Sequence, residues 1–369
     1  MLAKIKLYIK KIRSFFLTKK INKNITRYKY VHVMDNNKFN KPFVDFINKN
    51  FNPDEHMVLC YKKHPNRTPT LFPRGNNVYE YIYFKDIKGL LGDNIDKIIF
   101  HSLFPPGVVD GLYREPELLK KSYWVIWGGD LYNAPRDEKN DFVRKNFKGY
   151  ISAVKGDEEI AQKKYNSDAV LMNARYICPV NFDYIKKLKH NKSDSIVVQI
   201  NNSCDKSTLE MLDILSKFKD KNIKVRTILS YGKMQYKNEI IKKGKSIFGN
   251  NFSYLSKLIS PSKYIKYLAQ NDILILASKR QQGSGNAAMV LYYGEKVYIP
   301  ENVITFKYFK NLGCKTYKTE EIENSTFEEF ISYPDEIRMN NIQQIAKYYG
   351  DTEYCEQQKM WNNVFSSKD

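Results

Sequence analysis

The chain has no apolar run approaching the roughly 20 residues that a membrane-spanning helix needs, so no segment of it is expected to cross a bilayer. Its five cysteines, Cys60, Cys178, Cys204, Cys314 and Cys355, are odd in number and contain no C-x-x-C pair. This argues against a disulfide frame or a zinc site and for reduced thiols in the cytosol. Acidic residues are scarce: 40 Asp and Glu stand against 61 Lys and Arg, a net charge of +21. Such an excess attracts nucleic acid, anionic lipid or phosphorylated substrates without saying which. No period of 20 to 50 residues recurs, which argues against a solenoid.

What is present is a folded, apolar and aromatic-rich chain of 369 residues, long enough for two domains with separate cores. Residues 272–301, DILILASKRQQGSGNAAMVLYYGEKVYIPE, organise it. Ile273 to Ala277 form an unbroken apolar run, the mark of a strand buried on both faces in a parallel sheet. Gly283 and Gly285 supply the following turn, and from Asn286 the spacing of Met289, Val290 and Tyr293 is helical until Gly294. A strand, a tight polar turn and a helix start offer unpaired N–H groups and the positive helix end to an anion, foremost a phosphate. Two ligands fit this turn. Gly283, Gly285 and Ala288 match the dinucleotide pattern G-x-G-x-x-G/A, with Glu301 near the distance of a ribose-binding acid. The turn falls late in the chain, however, and Lys279, Arg280, Gln281 and Gln282 beside Ser284 and Asn286 suit a sugar diphosphate better. Cations offset phosphate charge, and amides serve hydroxyl or acetamido groups. Glycines that only shape a tight connection are the bland alternative.

Residues 1–30 carry many Lys and Arg and no acid, while Leu2, Ile5, Ile9, Ile12 and Phe16 recur at helical spacing. This predicts a basic amphipathic helix lying on an anionic membrane surface, with a helix packed on its own domain as the alternative. Residues 31–177 alternate strands with helical stretches, beginning YVHVMD, HMVLCY, VYEYIYF, KIIFHSLF and YWVIWGGDLYN. Asp35, His101 with Ser102, and Gly128-Gly129-Asp130 stand at strand ends, where a parallel sheet gathers its polar groups on one edge. A lysine-rich connector over 178–194 leads to a second α/β series over 195–334, and 335–369 reads as C-terminal helices. Asn202, Ser203, Ser207 and Thr208 lie between the strand SIVVQI and a helix, a place for phosphate or for simple helix capping. The two sets of strand ends are expected to face one another across a cleft.

The segments WVIWGGDLY (124–132), IVVQINNSCDKSTLE, SYG (230–232) and KRQQGSGN (279–286) together resemble the bacterial 4-acetamido-4,6-dideoxygalactose (Fuc4NAc) transferases of the enterobacterial common antigen pathway. The likeness covers most of the chain after about residue 30. It implies an α/β GT-B fold, two facing Rossmann-like domains with C-terminal helices. It also implies transfer of Fuc4NAc or a related sugar from a dTDP-linked donor to a polyprenyl-diphosphate-linked saccharide at the cytoplasmic face of the inner membrane. By the same resemblance Tyr231 and Gly232 join the donor side. The chain is more basic than expected of the enterobacterial enzymes, so donor and acceptor sugars are open to difference. No two aspartates stand two residues apart, which removes the D-x-D that holds Mg or Mn in GT-A transferases and favours a metal-independent enzyme without cofactor. Arg280 or Lys279 and the helix dipoles then stabilise the leaving diphosphate.

An acceptor hydroxyl that attacks an anomeric carbon must lose its proton. Asp130, after two glycines at a strand end, is the first candidate base, with His101 and Asp35 as alternatives. Asp130 as a turn cap and His101 as a core imidazole are the structural readings of the same residues. His32, inside a strand, reads as structural; Trp124, Trp127 and Tyr132 either line a sugar or fill core, and Trp124 reads as core. A nucleic-acid-binding protein and a non-catalytic glycan- or nucleotide-binding module are the rival classes. Basic residues spread along the chain without a nucleic-acid signature, so no nucleic-acid partner is expected.

Overall fold

The computed structural model describes residues 27–35, 37, 39–61, 75–88, 94–176, 185, 194–350 and 352–367. The membrane-surface helix expected within 1–30 and most of the connector 178–194 lie outside these residues. Among the described residues no helix is long and apolar enough to cross a membrane.

The chain divides into two compact units, Met1–Pro179 with Cys355–Asp369, and Val180–Tyr354. The first holds a seven-stranded sheet of β1 (Tyr30–Met34), β2 (His56–Tyr61), β3 (Val78–Tyr81), β4 (Lys97–His101), β5 (Ser122–Ile126), β6 (Gly149–Ser152) and β7 (Val170–Asn173). Their order is β3-β2-β1-β4-β5-β6-β7, and every pairing is parallel. Helices cover the sheet, so β4, β5 and β6 are buried at every position, and the chain there reads as continuous apolar runs. The helix Asn40–Asn50 follows β1 and buries Phe43, Val44, Phe46 and Ile47. Leu59, Phe100, Trp124 and Tyr150 lie in the core.

The second unit repeats the plan with β8 (Ile196–Ile200), β9 (Ile223–Ile228), β10 (Phe252–Leu255), β11 (Ile273–Ile275), β12 (Lys296–Ile299) and β13 (Tyr317–Lys318). Their order is β10-β9-β8-β11-β12-β13, again parallel throughout. In both units the winding reverses beside the first strand, between β1 and β4 and between β8 and β11. That reversal is the topological switch point, where doubly wound sheets open a crevice at their strand carboxyl ends.

The C-terminal helices expected over 335–369 belong to different units. The helix Asp335–Tyr349 stays on the second unit, where Asn341 Nδ2 donates to Lys315 O at 2.8 Å. The helix Thr352–Ser366 runs back to the first: Trp361 Nε1 donates to Arg175 O at 2.9 Å and Lys97 Nζ to Val364 O at 3.0 Å.

Candidate functional site

In the second unit the switch point is built around Asn201, the residue after β8, whose φ of 54° turns the chain out of the sheet. Its Nδ2 donates to Ser207 Oγ and Thr208 Oγ1 at 3.1 and 3.0 Å, and its Oδ1 accepts from Ala277 N at 2.8 Å, so one side chain ties the ends of β8 and β11 together. Ser207 and Thr208, read from the sequence as possible phosphate ligands, are buried, and Ser207 Oγ also donates to Asp205 Oδ1 at 2.9 Å. Both hydroxyls are thus held by side chains of their own loop, and neither caps the helix that starts at Ser207. Asn202 and Ser203 differ. Asn202 is 1% exposed; its Oδ1 accepts from Gln199 Nε2 at 2.9 Å, while its Nδ2 has no partner among the described residues. Ser203 Oγ accepts from Gln282 Nε2, and Gln282 Oε1 is likewise buried without a partner.

Gly283 meets this pair. It has φ +73°, and a Cβ there would sit 2.4 Å from Asn202 Nδ2, so only glycine fits. The helix Ser284–Tyr292 begins at once, two residues earlier than its periodicity indicates, and Asn286 N and Ala287 N return to Gly283 O. The N–H groups of Ser284 and Gly285 belong to the first turn and have no intrahelical acceptor. A Cβ on Gly285 would meet open space. Asn286 Nδ2 donates to Tyr264 Oη at 2.8 Å, while Lys279 is exposed and 3.6 Å from Glu210. Arg280 Nη1 donates to Gln281 O at 3.0 Å. Gly232, at φ +101°, brings the 230–232 loop against residue 204: a Cβ would lie 2.5 Å from Cys204 O. Tyr231 on that loop is 45% exposed. Of the fourteen donor-side residues named from the sequence, the structure thus brings Asn202, Ser203, Gln282 and Gly283 into contact at one helix start. Glu301, the acid that a dinucleotide reading requires, is exposed and paired with Lys318 at 2.8 Å.

In the first unit Asp35 and His101 flank the β1/β4 switch point, both buried. Asn40 Nδ2 donates to Asp35 O, fixing the turn after β1. His101 ends a row of three imidazoles set side by side by β4, β1 and β2. His101 Nε2 lies 2.9 Å from His32 Nδ1, and His32 Nε2 lies 3.0 Å from His56 Nδ1. Burial drives His56 and His101 down to about 3. Burial first, and then the two neighbouring imidazoles, hold His32 well below its ordinary value. The row is therefore neutral at pH 7, and His32 is structural as expected.

Asp130 is 3% exposed and belongs to a short helix, Gly129–Tyr132, entered through Gly128 at φ +71°. Its Oδ2 accepts from Trp124 Nε1 at 2.7 Å and Leu103 N at 3.1 Å, and its Oδ1 from Trp127 N at 2.9 Å. Burial raises its carboxyl, against the pull of these donors. A carboxylate holding three donors inside the fold joins the loops after β4 and β5. The sequence reading did not single out Asp157, which burial pushes up to about 7 and which accepts from Tyr132 Oη at 2.5 Å. Its one local sign is a Gly-Asp pair after a strand. Among the described residues no group of three or more His, Cys, Asp or Glu side chains is placed to hold a metal ion.

A family model described as 4-alpha-L-fucosyltransferase, glycosyl transferase group 56, matches residues 86–323. No curated protein sequence matches the chain at a significant level. Among solved structures the chain is similar to a UDP-forming trehalose-phosphate synthase from Burkholderia xenovorans, with TM-score 0.65 and 8% identity over 92% of this chain and 98% of that one. It is similar to the sucrose-phosphate synthase of Thermosynechococcus elongatus, with TM-score 0.62 and 8% identity over 92% and 100% of the two chains. It is also similar to WaaG, a glycosyltransferase involved in lipopolysaccharide biosynthesis, with TM-score 0.57 and 10% identity over 92% and 100%. These likenesses give the fold: two Rossmann-like units in one chain, the GT-B type.

Proposed function

Because the chain belongs to the glycosyl transferase group 56 family, and is thus a glycosyltransferase, we propose that it moves Fuc4NAc or a related deoxy-amino sugar from a dTDP-linked donor to a polyprenyl-diphosphate-linked saccharide. The product serves a cell-surface polysaccharide, and the enzyme works without a metal, peripherally at the cytoplasmic face of the inner membrane. The observation that carries the donor assignment is the start of the helix Ser284–Tyr292, where Gly283 stands against the stranded Asn202 amide and Gly285 opens outward. First-turn N–H groups, the helix dipole and Arg280 supply charge and donors for a leaving diphosphate. Tyr231, Asn286 and Lys279 complete the donor side.

For the proton of the acceptor hydroxyl we assign Asp35. Asp130 is spent on its three donors, and the His101 imidazole, held near 3, is a weak base. Asp35→Asn should keep nucleotide affinity and lose transfer by about 100-fold or more; full turnover in that variant would remove Asp35 from the chemistry.

Thermal unfolding of the full chain with dTDP-, UDP-, GDP- and CMP-linked sugars tests the donor assignment. A ligand at 100 times its Kd adds about 2.7 kcal/mol to the folded state. For a unit of this size that is a rise of about 5–10 °C in midpoint. The expected response is to a dTDP-linked sugar, and the absence of any response across the four nucleotides contradicts the reading.

A further inference from the structure

Asp130 fixes the backbone of Trp127, and Trp127 is one of three half-buried rings gathered from separate strand-end loops of the first unit. Phe39 follows β1, Trp127 follows β5 and Tyr176 follows β7. Their ring centroids lie 4.7 Å apart for Phe39 and Trp127, 4.8 Å for Trp127 and Tyr176, and 6.2 Å for Phe39 and Tyr176, each pair edge to face. His101 packs under Tyr176 at 5.5 Å, edge to face. Edge-to-face rings of this kind are an ordinary way to fill an apolar core, and single unpaired hydroxyls occur on the core residues Tyr81 and Tyr165 as well; what sets this group apart is that three such atoms come together on neighbouring rings. Trp127 Nε1, Tyr176 Oη and His101 Nδ1 are all shut away from solvent, and none has a hydrogen-bond partner among the described residues. A buried polar atom left unpaired costs stability. Three such atoms on neighbouring rings, at the carboxyl edge of a doubly wound sheet, fit a place completed by a ligand.

The chemistry of that ligand follows from the groups. Indole offers an N–H donor, the tyrosyl hydroxyl donates or accepts, and the imidazole Nδ1 does either according to its tautomer. The four side chains are neutral at pH 7, since burial holds the imidazole uncharged. Half-exposed aromatic faces meet apolar C–H faces, and their polar heads meet hydroxyls. A pyranose ring presents both. We propose that Phe39, Trp127, Tyr176 and His101 form a subsite for a neutral pyranose ring of the glycan that accepts the transferred sugar. The ring-binding property rests on this geometry, and its assignment to the acceptor rests on the transferase reading above.

The chain reports on this site by itself. Of its three tryptophans, Trp124 and Trp361 are fully buried, which leaves Trp127 as the indole that a ligand can shield. The experiment titrates the full chain with the methyl glycosides of glucose, galactose, mannose and N-acetylglucosamine, up to ~100 mM, a hundredfold above a millimolar Kd. Acrylamide quenching of tryptophan emission is the readout. At least one glycoside is expected to protect the emission saturably. Tyr176→Phe should weaken that glycoside about tenfold, the loss of one hydrogen bond, while its unfolding midpoint stays the same or rises, because the change deletes a stranded hydroxyl. Trp127→Phe keeps a ring and should lose both the protectable emission and the affinity, followed for this variant by ligand NMR. A tyrosine that only filled the core would leave glycoside binding unchanged on Tyr176→Phe, and that result overturns the proposal. So does protection by thymidine in preference to every glycoside, and so does the absence of any glycoside response. A parallel dTDP titration separates the two levels: dTDP binding without glycoside binding sinks the subsite alone, and failure of both sinks the transferase reading with it.

Discussion

Replacing Asp130 by asparagine separates a clamp from a catalytic base. The carboxylate has three donors: Trp124 Nε1 at 2.7 Å and Leu103 N at 3.1 Å on Oδ2, and Trp127 N at 2.9 Å on Oδ1. Asparagine offers one acceptor oxygen. With that oxygen in the Oδ2 position two bonds survive, and the new NH2 faces the N–H of Trp127. A hydrogen bond to a charged acceptor, about 1.5–3 kcal/mol, is then lost and a buried backbone donor left unpaired. Burial raises the native carboxyl, so the neutral amide recovers part of that loss, and a net destabilisation of about 2 kcal/mol remains. For a unit of this size the melting midpoint should fall by about 4–8 °C. Differential scanning of the full chain measures it, with transfer assayed on the folded protein well below the transition. A structural clamp loses stability first and turnover only in proportion to the displacement of Trp127. Were Asp130 the base, the same variant would keep its midpoint and lose turnover outright, and that outcome would refute the clamp.

The histidine row makes the fold acid-sensitive. His32, His56 and His101 have folded values depressed below their ordinary value of 6.5, so their contribution is complete above pH 6.5 and is lost as pH falls toward 3. Between pH 7 and 5 His56 and His101 each forfeit about 2 kcal/mol, and His32 adds to the loss in the same direction. Asp157, raised to about 7, works in the opposite sense and returns about 2, which leaves a net loss of about 2 kcal/mol or more. Urea unfolding at pH 7, 6 and 5 measures this, and a flat profile contradicts it. Arg280→Ala should weaken a dTDP-linked sugar about tenfold or more by titration calorimetry, with stability changed by less than about 0.5 kcal/mol; unchanged affinity removes Arg280 from the donor side.

The strands β1 to β5, β8 and β11 were legible because a parallel sheet covered on both faces writes each as a largely apolar run. The Gly283 to Gly285 turn was legible for a similar reason: a left-handed residue beside a helix start leaves a glycine in the sequence. Ser207 and Thr208 illustrate the limit. A hydroxyl at a helix start caps, binds phosphate or serves an internal bond with the same residue types, and only the positions of Asn201 and Asp205 show that these two are held within their own loop. His32, His56 and His101 stand 24 and 69 residues apart in pairs, and nothing local announces that adjacent strands align them. Asp130 was recognisable as special from its Gly-Gly-Asp setting, but not as the partner of Trp124 six residues earlier. The return of the helix Thr352–Ser366 to the first unit is a tertiary fact, decided by Trp361 and Phe365 finding Phe43, His56 and His101.

Gly285 gives the most direct test of the donor assignment. Its Cβ position opens on free space, so a side chain there adds bulk without striking the protein, while in the account given it enters the approach of the diphosphate to the helix start. Titration calorimetry of dTDP against the native chain and Gly285→Val should show binding to the native chain and at least about tenfold weaker binding to the variant, at equal melting midpoints. Equal affinity for dTDP in the two proteins would place the diphosphate elsewhere and contradict the account.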